Sequence, residues 1–86
     1  MIAPAIHLNG TSGEVLLDQV CNAGHAVATA MKALEDAWPN GRDYYPQGDD
    51  ALRQAESEWK SRIDRLRSVQ QELEQLAGLI ADKMGG

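Results

Sequence analysis

The stretch PNGRDYYPQG, residues 39–48, interrupts what would otherwise be one continuous helical pattern. Pro39 pushes the residue before it out of the α region, so a helix arriving at Trp38 must stop there. Asn40 and Gly41 tolerate positive φ, and Pro46-Gln47-Gly48 supplies a second turn signal. A break of ten residues is long enough to send the chain back on itself. The expected fold is therefore all-α, an antiparallel helical hairpin. It divides a single domain, 1–86, into an N-terminal segment (1–11), helix 1 (12–38), a motif loop (39–48) and helix 2 (49–84).

Outward from the break, both runs carry heptad-like seams. In the first, Leu17, Val20, Gly24, Val27, Met31, Leu34 and Trp38 recur in steps of three and four. A second row, Ala23, Ala26, Ala30, Ala33 and Ala37, follows the adjoining face. Thr11 stands three residues before Glu14, the capping-box spacing, and is the expected N-cap. In the second run the seam reads Leu52, Ala55, Trp59, Arg62/Ile63, Leu66, Val69, Leu73, Leu76 and Ile80, after an acidic start at Asp49 and Asp50 that suits the helix dipole. At 1.5 Å per residue the helices should measure roughly 40 Å and 50 Å. A lone hairpin has no use for a second apolar face on helix 1. The alanine row is thus expected to lie inside a homo-oligomeric helix bundle, unless it serves only to raise helix propensity.

Composition presses the same way. Eighty-six residues without phenylalanine make a small core. Such chains need a disulfide, a metal or self-association. Cys21 is the only cysteine, and His7 and His25 are far apart, so no internal disulfide, metal site or cofactor is expected. The net charge of −5 argues against DNA or RNA as a partner. The first fifty residues hold seven acids and two bases, the remainder six of each, so the acidity is too thin for a nucleic-acid mimic. The start MIAPAIHLNG lacks the basic region and long apolar run of a secretory signal. No stretch has the length of a membrane span. A cytoplasmic protein without a membrane partner is expected.

Four places could carry chemistry. In the loop, Arg42 offers a planar fork for phosphate or carboxylate. Tyr44 and Tyr45 offer flat faces and hydroxyl tips, and Asp43 and Asn40 could read a ribose. The alternative is a clip, with the tyrosines covering the hairpin end and Arg42 pairing with Asp43. The second place is HLNGTS, residues 7–12, where His7 and Asn9 precede a helix N-terminus, itself an anion-favouring position. Within one antiparallel hairpin these two clusters lie at opposite ends; an antiparallel neighbour could join them. Third, Arg53, Lys60 and Arg67 recur at seven on helix 2, either as an anion-holding row or as a solvated face paired with acids. Last, Cys21 and His25 are four apart, but a helix interior supplies neither an activated thiolate nor an oxyanion site. No enzymatic activity is expected.

With HLNGTS at 7–12 and PNGRDYYPQG at 39–48, the chain resembles a family of small phage and prophage proteins. These pair an HLNGT-like start with a PNxRDYY-like loop and a helical tail, and the resemblance covers most of residues 6–80. It implies a viral source and a role in the host cytoplasm. In size and hairpin character the chain is also similar to small phage-encoded helical oligomers that sequester cyclic nucleotides or ADP-ribose derivatives used as bacterial immune signals. The function this implies is an anti-defence protein that binds a nucleotide-like signal in intersubunit pockets, using Arg42, Asp43, Tyr44, Tyr45 and Asn40 of one chain and His7 and Asn9 of a neighbour. The rival expectation is an anti-CRISPR-like inhibitor that binds a host defence protein directly.

Overall fold

A computed structural model describes residues 1–85. The elements are α1 (Gly13–Asp36), α2 (Gly41–Tyr44), a 3-10 turn (Tyr45–Gln47) and α3 (Asp49–Gly85). Among the described residues there is no strand. α1 and α3 lie side by side as an antiparallel hairpin measuring 62 × 19 × 18 Å, so the molecule is a rod only two helices wide.

α1 packs against α3 along its length. On α1, Leu17, Val20, Gly24, Val27 and Leu34 are half-buried and Met31 is buried. On α3, Ile63 and Ile80 are buried, while Leu52, Trp59, Leu66, Leu73 and Leu76 are half-buried. Among the described residues only Ile80, at 1% exposure, is sealed completely. A rod of two helices has no third element to close over the seam, so its apolar residues keep one edge in solvent. Arg62 and Val69, included in the sequence seam of helix 2, are exposed, each a step to one side of the buried line. Trp38, the last residue of the helix 1 seam, lies past the end of α1 and is 41% exposed. The five alanines of the second row are all exposed.

The start of α1 differs from expectation. Ser12, not Thr11, is the N-cap, and its hydroxyl accepts from the Val15 amide at 3.2 Å. Spacing cannot choose between neighbouring hydroxyls. The close approach at Gly13 places the helix start one residue later. A Cβ there would stand 2.6 Å from Met84 Cγ and 3.0 Å from Ile6 Cδ1. The first turn of α1, the N-terminal segment and the end of α3 therefore converge where only glycine fits. Lys83 Nζ, donating to the Pro4 carbonyl at 2.8 Å, adds a polar tie across the same end.

No helix among the described residues is long and apolar enough to cross a membrane.

Candidate functional site at the hairpin turn

The 39–48 segment is more ordered than the loop expected from its sequence. It contains one helical turn, α2, and a 3-10 turn. Asn40 caps α2, its side-chain oxygen accepting from the Arg42 amide at 3.0 Å. The Asp43 amide donates to the Asn40 carbonyl at 3.0 Å. Pro46 sits within the 3-10 turn, and Gly48 ends it at φ 98, a conformation that favours glycine. α2 is seated on α3, where Gly41 approaches Leu52. Local backbone bonds rather than side-chain burial therefore set the shape of the turn.

The two tyrosines divide the work. Tyr44 is half-buried and lines a groove with Gln47, Gln54, Trp59 and Arg62. Tyr45 is 78% exposed. Trp59 ties α3 to α1 beside the turn: its indole N–H donates to the Leu34 carbonyl at 2.6 Å. Arg62 lies over the Trp59 ring, its guanidinium carbon 5.2 Å from the centroid. Trp38 donates to a Glu56 carboxylate oxygen at 3.2 Å. This aromatic groove, lined by Glu58 as well as Arg62, was not singled out from the sequence. Its signal was a Trp followed three residues later by an Arg, which places them on one helical face.

Arg42 and Asp43 are exposed. They form no ion pair with each other among the described residues, where the ion pairs involve Lys32, Arg53, Lys60 and Arg67. Asn40 uses its oxygen for the cap, and its NH2 can still donate to a ligand. His7 and Asn9 are exposed in a turn closed by the Gly10 amide donating to the His7 carbonyl at 3.1 Å. The imidazole folds back over Gly10, where a Cβ would stand 2.8 Å from Nε2. One chain thus holds the seven residues in two groups at opposite ends of a rod 62 Å long.

The basic row on α3 is a solvated, acid-paired face. Arg53 bonds Asp50 at 2.7 Å, and Lys60 and Arg67 converge on Asp64 at 2.7 Å and 3.1 Å. The hydrogen bond from Lys60 holds the Asp64 carboxyl below its ordinary range, helped by the Lys60 and Arg67 charges against partial desolvation. Cys21 and His25 flank a shallow dent between the helices at Gly24, lined on the α3 side by Gln70, Leu73 and Glu74. Among the described residues no group of three His, Cys, Asp or Glu side chains could hold a metal ion.

No family model matches the chain, and neither does any curated protein or solved structure.

Proposed function

We propose that this protein is a self-associating, non-catalytic binding protein whose turn end captures a phosphate-bearing, nucleotide-like molecule. The observation that carries the reading is the display of Arg42 and Tyr45. A clip would pair Arg42 with Asp43 and cover the hairpin end with both tyrosines. Here Tyr44 alone packs, while Arg42 stands without an ion pair among the described residues and Tyr45 is 78% exposed on a turn stiffened by its own bonds. A stiff turn that holds out a guanidinium and a phenol loses little entropy on binding. Arg42 would hold phosphate, Tyr45 would stack on the base, and Asp43 and the Asn40 NH2 would meet the sugar hydroxyls. Tyr44 supports the floor of the site. His7 and Asn9 of a neighbouring chain would close it. The motif resemblance supports a phage source and an anti-defence role in the host cytoplasm, with a bacterial immune signal as the ligand.

Calorimetry with cyclic nucleotides and ADP-ribose derivatives tests this. Arg42→Ala should weaken binding by about 1.5–3 kcal/mol, the range for one hydrogen bond to a charged group, and leave the melting temperature nearly unchanged. Equal affinity of wild type and variant would remove the turn from the site. A second reading, inhibition of a host defence protein, is favoured by apolar side chains held in solvent, Ile2 at 95% and Leu8 at 99% exposure. Native mass spectrometry of protein from cells making the signal separates the two. A bound mass of several hundred daltons supports the first; an empty oligomer that captures a host protein supports the second.

A further inference from the structure

We propose that two copies pair antiparallel about a two-fold axis crossing α1 near Ala26, and that this pairing brings the 7–10 turn of one copy to the 38–47 turn of the other. It supplies the neighbour that the proposed ligand site requires, but its support is independent of any ligand.

The first support is area. A compact folded monomer of 9.4 kDa exposes about 5,000 Å². This chain exposes 6296 Å², an excess of about 1,300 Å². A stable interface of ordinary size takes about 800 Å² from each partner. The rod therefore exposes more surplus surface than one such interface needs.

The second support is where that surplus lies. At 100° per residue, Val15, Gln19, Ala23, Ala26, Ala30 and Ala33 fall within an arc of roughly 80° on α1, beside the seam. All six are exposed, and no charged residue falls in the arc. The dent holding Cys21, His25, Gln70 and Glu74 marks the other side of the seam on both helices. Val69 and Leu79 project on the side of α3 away from Gln70 and Glu74, next to the alanine arc. They are 41% and 40% exposed, and Val15 is 46% exposed. The α1 half of this side is thus apolar, with small residues that allow close backbone approach, while the α3 half mixes Val69 and Leu79 with the exposed Glu58, Arg62, Arg65 and Glu72.

Charge selects the occupant and its direction. Arg65 and Glu72 border this side on α3, seven residues apart. Arg65 bonds only the Ser61 carbonyl, and neither residue is in an ion pair among the described residues. With the exposed Ala37 at the C-cap of α1 the apolar arc extends from Val15 to Ala37, so two copies overlap most fully when the axis passes its midpoint, Ala26. That level on α3 is close to Val69. An antiparallel copy then sets Arg65 against the other chain's Glu72, twice. A parallel copy would set Arg65 against Arg65 and Glu72 against Glu72, which is repulsive. The antiparallel pair also brings the exposed Leu8 of each copy to the turn end of the other.

Cysteine cross-linking in a Cys21→Ser background reads both contact and direction. A disulfide needs Cα atoms about 4.4–6.8 Å apart, which only closely facing positions satisfy. Ala26→Cys should dimerise covalently on mild oxidation. Gln19→Cys and Ala33→Cys should each remain single chains alone and cross-link when mixed. Self-linking of Gln19→Cys and of Ala33→Cys would show a parallel pair and overturn the proposal. Failure of every combination, with helical circular dichroism intact, would overturn it too. No ligand is needed. A cross-linked pair that binds no nucleotide-like compound would therefore sink the ligand reading and leave the pairing standing.

Discussion

At the turn end of the hairpin, Trp59 donates to Leu34, Trp38 to Glu56, and Asn40 caps α2. At the end holding the termini, Ile80 is sealed, Gly13 lets Ile6 and Met84 close over α1, and Lys83 reaches Pro4. Directional bonds fix one conformation without burying much, so the turn can hold Arg42 and Tyr45 in solvent. The other end is closed mostly by apolar contact, yet Ile2 and Leu8 remain almost fully exposed. Turn chemistry suits a small polar ligand. The apolar end suits another polypeptide. Antiparallel pairing would give each end the complement it lacks.

The largest expected effect falls at the turn end. Trp59→Ala should cost about 2–4 kcal/mol, at or below the usual range for a buried Trp because the ring is partly exposed. Trp59→Phe keeps most of the packing and loses the bond to Leu34, for about 1 kcal/mol. Chemical denaturation of both variants measures this. Equal losses would mean the indole N–H bond contributes most at that end; no loss from either would remove Trp59 from the seam.

Next comes the apolar end. Leu8→Ser should leave helical content unchanged, because the side chain touches little in one chain. It should weaken self-association several-fold, read as a shift of the dissociation midpoint on dilution. An unchanged midpoint would place Leu8 outside the interface.

The smallest effect is expected on the acid-paired face. Asp64 ionises more readily in the fold than at its ordinary value of 3.8, chiefly through the Lys60 hydrogen bond. A lowered folded value means the ionised carboxyl stabilises the fold above the unfolded pKa. That contribution fades as pH falls through the folded value. Asp64→Asn should therefore lower the melt slightly at neutral pH, and the variant and unmodified protein should converge below about pH 4, which gives the variant the shallower acid limb. An unaltered acid limb would show that the ion pairs at Asp64 contribute nothing measurable.

Much of this architecture was legible in the chain. The three-four spacing of Leu17, Val20, Val27, Met31 and Leu34 marks the face that packs, and Leu52, Trp59, Ile63, Leu66 and Ile80 mark its counterpart. Pro39 marks the break. The helical turn at Gly41–Tyr44 was not legible, because four residues carry no periodicity and their order comes from the Asn40 cap and the seat on α3. Nor could spacing choose Ser12 over Thr11; the contact across Gly13 decides it. In the candidate site, the exposure of Arg42 followed from its polar neighbours. The split between a packed Tyr44 and a displayed Tyr45 did not, since adjacent identical residues give no pattern to read.

The central claim is that this hairpin is one half of a larger surface, and sedimentation equilibrium of the unmodified protein at micromolar concentration tests it most directly. The expected mass is an even multiple of the 9.4 kDa chain. Ala26→Glu, which sets a charge in a desolvated small-residue contact, should reduce that mass to one chain while the helical spectrum persists. Unmodified protein sedimenting as a single 9.4 kDa chain would contradict the account.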